Sequence, residues 1–565
     1  MTPPALNNED VIREILEYLF LDFEPAWVNV GSPAIKTSKS WLYNTAFLSR
    51  TFSQPALDLL WRMMDSLDPL LNLLPENVLR RDSDGCSVSY VPSVPHDLAR
   101  FSYYAGKIQI FHYNAPSRVN SDHYGGWHIL YALLHHPVVP SPLLPRLNTL
   151  HIGALALATN PSIPFCLLSP SLRRVNFVTL NGVSHNLFRT FISCLLSRAP
   201  GLQHFDVHDE LPEDMTEMLF HFSQLRSLRL TTNNWATLLH RPGLARLPKL
   251  ATLSVNLSAL VAPAISENLV SSPNLTKVSI KCRMSVFLAF VNSFNLPTLS
   301  HLDLNFVKEH GFNQQPPHAL FPDDVSILRV MEKWSSSLEI LKINGGNIIQ
   351  IDEIARSGNG QLSPVEFRQL TSLEIRNLRF SSFLSPLSDY TCWALARCLP
   401  SIQYLALPLS HSVSFNSLRR LVLVCPHLHS LQIGIDALSL SQLLFSPGPG
   451  HSYDSFWHNL QELSVGETIV HDQFLLARPL IGLFPNLKRI ISPSKVWASV
   501  NDLYAFVRSL KSDSFQHQNV SPKDLHVLRE KMIQNVYDLS LPDDLRLKAL
   551  PPKPMPQMYA GTSKE

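Results

Sequence analysis

The residues of this chain best equipped for chemistry are its cysteines and histidines. Seven thiols are present, Cys86, Cys166, Cys194, Cys282, Cys392, Cys398 and Cys425, with 23 histidines beside them. A thiolate with an imidazole base makes a hydrolase, and Cys392 or Cys425 with His411 or His427 would be the pair, although such partners meet only in space. No two cysteines stand in a CxxC arrangement, so they read as scattered, buried thiols rather than metal ligands. His112, His123, His128, His135 and His136 crowd together, yet their spacings of 11, 5, 7 and 1 fit no zinc template. The chain has no GxxxxGK phosphate loop, no GxGxxG, no HExxH and no GxSxG, and the "GGN" at Gly345 reads as a turn. No catalytic residue, metal or cofactor is therefore expected, and the work of the chain is expected to be binding.

Charge narrows what is bound. With 47 Lys and Arg against 45 Asp and Glu the formal net charge is only +2, and no Lys/Arg-rich run exists, so the electrostatic footprint of a nucleic-acid binder is missing. The opening "MTPPALNNEDVIREIL" lacks the basic start and apolar core of a secretory signal. Apolar stretches such as "FLLARPLIGLF" are broken by Arg or Pro before the roughly 18 residues a membrane span needs. Without a signal, the sequons at Asn256, Asn274 and Asn519 carry no weight. A cytoplasmic or nuclear protein is expected, with neither nucleic acid nor membrane as partner.

The elements that must position any binding residues are written in a repeat. Between Leu147 and Leu487 the pattern Leu-x-x-Leu-x-Leu, or a close variant, occurs thirteen times, from "LNTLHI" through "LTKVSI" and "LTSLEI" to the degenerate "LKRIIS". The steps between first anchors are 25, 30, 23, 25, 25, 24, 39, 32, 32, 26, 32 and 27 residues, mostly in or just above the leucine-rich-repeat range. Anchors one, four and six point to one side and cannot be buried by one unit, so stacking into a solenoid is compulsory. The fold class predicted is α/β: a curved parallel sheet with convex helices and loops, preceded by a small all-α module. Helices are predicted in "HNLFRTFISCLLSRAP", with Leu187, Phe188, Phe191, Leu195 and Leu196 on one stripe, and in "DYTCWALARCLP". The 39-residue step holds "KEHGFNQQPPHALFPDD", whose Gly and Pro-Pro predict an inserted loop.

The chain divides accordingly: 1–75 a helical module, 76–142 a linker and N-terminal cap with a strand near Ile108 to Phe111 and a helix around Trp127, 143–497 the array, 498–550 capping helices, and 551–565 a Pro-rich, disordered tail. In the module, Asn7 or Asn8 caps a first helix with Glu9 and Asp10 at its positive end and an apolar stripe of Val11, Ile12, Ile15, Leu16, Leu19 and Phe20. A second run, "WLYNTAFLSRTF", offers Leu42, Ala46, Phe47 and Phe52, and Ser53 and Pro55 start a third that carries Leu57, Leu60, Trp61 and Met64. Three short helices bury too little to stand strongly alone, so a partner is the natural supplement.

"VIREILEYL" followed by "LYNTAFLSRTFSQPALDLLWRMMDSLDPLLNLLP" resembles the F-box motif, over roughly Leu6 to Pro75. The likeness is closest to the F-box and leucine-rich-repeat proteins abundant in mushroom-forming fungi. The chain departs from the motif with Leu6-Asn7 for the opening Leu-Pro, with Ser49 where Cys is frequent, and with a Phe20-to-Ser40 stretch read as an inserted loop. The resemblance implies a substrate receptor of an SCF-type cullin-RING ubiquitin ligase: the module docks a Skp-type adaptor, and through it a cullin, while the repeats hold a protein client. By the same resemblance Ile12, Ile15, Leu16, Leu19, Phe47, Phe52, Leu57, Leu60 and Trp61 form the module's core and adaptor face. The alternative is a leucine-rich-repeat scaffold or inhibitor whose module has lost the adaptor.

On the repeat strands, residues at anchor plus two, four and six turn outward onto the concave face. Those expected to meet a client are Arg229, Lys277, Lys281, His301, Asp303, Lys342, Arg376 and Tyr404. Arg229, Lys277, Lys281 and Lys342 make its middle modestly basic, a suitable seat for an acidic or phosphorylated segment.

Overall fold

The computed structural model describes residues 8–21, 33–74, 79–81, 88–90, 98–113, 141–153, 157, 162–180, 182–232, 243–258, 270–307, 330–345, 366–376, 395–407, 412–436, 459–466 and most of 480–505. Every predicted repeat becomes a strand. After β1 (Met63–Met64) and β2 (Ile110–Tyr113) come β3 (Thr149–Ile152), β4 (Arg174–Phe177), β5 (His204–Glu210), β6 (Ser227–Thr231), β7 (Thr252–Asn256) and β8 (Lys277–Cys282). Then follow β9 (His301–Phe306), β10 (Ile340–Gly345), β11 (Ser372–Arg376), β12 (Tyr404–Ala406), β13 (Ser430–Ile435), β14 (Glu462–Val465) and β15 (Arg489–Ile491). They pair in chain order, every pair parallel, which is the leucine-rich-repeat arrangement.

The anchors explain the stacking. Leu299, Leu302 and Leu304 are all but fully buried, as are their counterparts in every repeat before the last, and they merge into one continuous core. Just before each strand the backbone also forms a ladder of its own. The N–H of the residue after the first anchor donates to the carbonyl of its counterpart one repeat earlier, as in Ala251 to Arg226 at 2.9 Å and Thr276 to Ala251 at 3.0 Å. Polar side chains stitch the same turns: Ser171 donates to the Leu147 carbonyl at 2.9 Å and Thr298 to that of Pro273 at 2.7 Å.

That ladder begins earlier than the Leu-rich pattern does. Gln109 N–H donates to the Arg62 carbonyl at 2.9 Å, and Asn148 N–H to that of Gln109 at 2.8 Å. Ile108, Phe111 and Tyr113, spaced as anchors one, four and six, are buried in the common core. Met64 pairs with Phe111, which aligns Trp61 with the first anchor, and Trp61 packs on the array's core. Residues 108–113, inside the stretch expected to close the end of the array, thus follow the repeat pattern themselves, and residues 61–64 follow part of it. The helix expected around Trp127 and the predicted insertion in the 39-residue step lie outside the described residues, as do the "PKDLHVLREKMIQNVYDLSL" segment and the tail.

Three helices head the chain: α1 (Glu9–Leu21), α2 (Pro33–Thr45) and α3 (Arg50–Arg62). Two differ from expectation. α2 starts at Pro33, so residues 33–40 of the stretch expected to be an inserted loop are helical. The run "WLYNTAFLSRTF" is split by a turn at 46–48, and α3 starts at Arg50, which leaves Pro55 inside it. Ile12, Leu16, Leu42, Ala46, Ala56, Leu59 and Met63 form a small core of their own. Leu67, Leu70, Leu71 and Leu74, around α4 (Asp68–Leu71), already belong to the array's core, with Phe101 and Ala105 of α5 (Ala99–Ala105).

The predicted convex helix before β5 is α6 (His185–Arg198), capped by Ser184, whose hydroxyl accepts from Leu187 N–H at 3.3 Å. Phe188, Phe191 and Leu195 of its predicted stripe are buried, and the rings of Phe188 and Phe191 meet Phe177 edge-on. Residues 395–398 of the second predicted helix are helical. At the far end Trp497, Val500 and Tyr504 cover the last repeat, and the Asn501 side chain accepts from Ile490 N–H at 2.9 Å.

Candidate functional site

Two surfaces stand out, one on the helical module and one on the open face of the sheet. In the module α3 is the central helix, with α1 and α2 both packed against it. This divides the nine residues of the expected adaptor face. Ile12 and Leu16 are interior, while Phe52, Leu57 and Leu60 lie half-buried against that interior. Ile15, Leu19 and Phe47 stand outside, at 44%, 48% and 72% exposure. Trp61 does neither, because its ring packs 4.5 Å from that of Tyr104 and joins the module to the array.

Around the three exposed members lie others that periodicity did not single out. Tyr18 shares the outer face of α1 with Ile15 and Leu19, at helical spacings of three and four. Trp41, Tyr43 and Leu48 are exposed near Phe47, and the Tyr43 and Phe47 rings meet edge-on at 4.9 Å. The available signal was the apolar residue left over once each helix had filled its inward stripe.

A polar cluster fixes the module against the array. The Asp58 carboxylate accepts from Lys107 at 2.5 Å, from Gln54 at 2.8 Å and from Arg13 at 3.4 Å, and Gln54 also reaches the Tyr103 hydroxyl at 2.9 Å. Lys39 pairs with Asp65 at 3.5 Å beside it.

On the sheet, all eight expected client residues point away from the core, and strand register places them in three rows. Row two, at anchor plus two, holds Lys277 beside His301, with Tyr404 farther along. Row four holds His112, His151, Asn176, Asp206, Arg229, Ser254, Ser279, Asp303, Lys342 and Glu374 in successive strands. Row six brings Asn256, Lys281, Asn305, Asn344 and Arg376 side by side.

The register corrects the expected basic middle. Arg229 pairs with Asp206 at 3.3 Å, and Lys342 with Glu374 at 3.5 Å, while Arg376 pairs with Glu374 from its other side. Of the four cations counted toward that middle, only Lys277 and Lys281 have no ion pair among the described residues, and both are exposed. Sequence reading puts Asp206 and Glu374 on the same face but not in pairs with these cations, although Asp206 and Arg229 share one anchor offset in consecutive repeats, as do Lys342 and Glu374. Burial raises the Asp303 carboxyl above its usual range, against the pull of Lys342 and Ser279. Burial, with Lys277 beside it, lowers His301, so its imidazole is neutral at physiological pH.

At the N-terminal end of row four the His112 and His151 rings stack at 4.2 Å, nearly parallel. Burial first, then the neighbouring ring and Lys39, push His112 down to about 3; burial and Arg174 push His151 down to about 4. Neither belongs to a metal-binding cluster among the described residues. His123, His128, His135 and His136 lie outside the described residues, and so do Cys86, Cys392 and His411.

Cys282, Cys398 and Cys425 are buried in the array's core. Cys282 and Cys425 are pushed up to about 12 and Cys398 to about 11, in each case chiefly by burial. The Cys425 thiol lies 3.8 and 3.9 Å from the carbonyls of Ala396 and Leu399. No helix among the described residues is long and apolar enough to cross a membrane.

No protein-family model and no curated protein matches this chain. Among solved structures it is similar to an internalin from Listeria monocytogenes, at 14% identity over 75% of this chain and 96% of that one, TM-score 0.32. It is also similar to a leucine-rich-repeat protein of Leptospira interrogans, at 15% identity over 62% of this chain and 80% of that one, TM-score 0.30. The receptor of a TLR13–ssRNA13 complex gives 15% identity over 62% of this chain and 46% of that one, TM-score 0.28. These superpositions are loose, and the assignment to a leucine-rich-repeat solenoid stands on the ordered parallel ladder of the chain itself.

Proposed function

We propose that this chain is the substrate-recognition subunit of an SCF-type cullin-RING ubiquitin ligase, with its helical module docking a Skp-type adaptor and its open sheet face holding a protein client. The observation that carries the reading is where the apolar surface lies. Of the eleven large apolar side chains exposed among the described residues, seven fall between Ile15 and Leu48. Concentrated apolar exposure of this kind marks an interaction surface. The module already has an interior of its own, so these residues are surplus to folding. Their place in a segment that resembles the F-box motif selects the adaptor as the partner.

The test is adaptor binding by the purified full chain, compared with an Ile15→Asp, Phe47→Asp variant. Both positions are exposed, so the variant is expected to keep its melting temperature, whereas Leu16→Asp would open the small core and Trp61→Ala would loosen the module from the array. Submicromolar binding that disappears in the variant supports the ligase receptor. A folded chain that does not bind the adaptor is instead a leucine-rich-repeat scaffold or inhibitor.

A further inference from the structure

Row six of the sheet differs in kind from row four. Row four from Asp206 to Glu374 mixes both signs of charge and neutralises itself through the Asp206–Arg229 and Lys342–Glu374 pairs. Row six between β7 and β11 carries no carboxylate: Asn256, Lys281, Asn305, Asn344 and Arg376 stand on five adjacent strands. Lys281 is fully outward, and Arg376 is held at its base by Glu374 with its side chain still 59% exposed. The interval between them is filled by asparagine amides, each of which both donates and accepts.

We propose that this row seats an extended acidic peptide segment that runs across the strands, with its backbone on the amide of Asn305 and its acidic groups on Lys281 and Arg376. This rests on reading the open face as the client-binding face and names the client chemistry.

The spacing makes the proposal specific. Lys281 and Arg376 are three strand steps apart, about 14 Å at the usual interstrand distance of about 4.8 Å. An extended peptide advances about 3.3 Å per residue with alternate side chains on one side, so groups four residues apart lie about 13 Å apart and face the same way. Acidic residues at i and i+4 therefore match the two cations, whereas i and i+3 present one of them to solvent. Lys277, on the same strand as Lys281, adds positive potential without a fixed register. A nucleic acid suits the row less well. Asp303 and Glu374 flank it in row four, and a phosphate backbone calls for a continuous run of cations, which alternating amides do not supply.

The experiment measures fluorescence anisotropy of the full chain with labelled peptides of one composition, Ser/Thr-based with two glutamates four apart or three apart. Expected is preferential binding of the four-apart peptide, weakened about tenfold by Lys281→Gln with Arg376→Gln and retained by Lys281→Arg. Phosphoserine in place of the glutamates tests whether carboxylate or phosphate is the better source of the same charge, and binding of either kind at the four-residue spacing supports the row. Equal binding at both spacings, indifference to the double substitution, or an oligouridylate that binds more tightly than every peptide would overturn it. The Lys281→Gln, Arg376→Gln variant should still bind the Skp-type adaptor as the parent does. Loss of the row with adaptor binding intact, or the reverse, therefore tells failure of this inference from failure of the ligase reading.

Discussion

The stacked pair His112 and His151 ties single side chains to the stability of the chain. Both are lowered by burial, from 6.5 to about 3 and about 4, so below the unfolded value the unfolded chain binds more protons than the folded one. Folding stability from this pair is therefore complete above about pH 6.5 and is lost as pH falls toward 4, at up to about 1.4 kcal/mol per pH unit for each ring. Urea unfolding at pH 7 and pH 5 is expected to show a smaller loss for a His112→Gln, His151→Gln variant than for the parent. An unchanged loss would mean that the pair is not held neutral. The carboxyls of Asp206 and Asp303, raised by burial, shift stability the opposite way, which is why the comparison with the variant is decisive. Neither the stack nor its neutrality was legible in the sequence: His112 stood in a histidine-rich stretch, and its actual partner is one repeat away.

At the level of elements the repeat was the most legible feature, because anchor burial is a local, period-two property that each segment states for itself. The helical module was less so. α2 opens with "PAIKTSKS", which has no apolar stripe to announce a helix, and it is held by packing on α3 and by the Lys39–Asp65 pair. Pro55 suggested a first turn, yet it lies one turn inside α3, its side buried, so tertiary packing overrides the missing N–H. The end of β10 offers a test of how tightly one repeat is seated on another. Gly345 has φ of 78°, and a Cβ there would run into the Phe306 carbonyl oxygen of the preceding strand. Gly345→Ala is expected to cost at least about 1–2 kcal/mol from the left-handed backbone alone. Denaturant titration measures it, and a neutral result would show that β10 shifts to make room.

For the whole molecule, the open question from sequence was how a short helical module relates to a long array. The structure answers with Asp58 and Trp61. The first ties α3 to Lys107 and to Arg13 of α1, and the second, on α3, stands where a first anchor would and packs on Tyr104. Asp58→Ala is expected to loosen the module and leave the array unaffected: limited proteolysis should cleave the α1–α3 segment sooner, while the main thermal transition stays in place. A fall in that main transition would instead make the cluster part of the array's own stability. The Asp206–Arg229 and Lys342–Glu374 links on the open face belong to this scale too, since each joins neighbouring repeats and emerges only when repeats are aligned by anchor.

The hydrogen-bond ladder that passes from Arg62 to Gln109 and on through the repeats has a mechanical corollary. Because the last residue of α3 is also the first rung, the helical module runs straight into the ladder, and with both proposed partners bound the chain would work as a bracket of set span. A partner held on the helices and a segment held on row six would lie at a constant offset. Which part of a captured protein comes within reach of anything mounted on the helical end would then be decided by where along the array it is gripped. Inserting a flexible spacer between Arg62 and Met63 would turn the bracket into a leash, with both grips intact and the reach no longer defined.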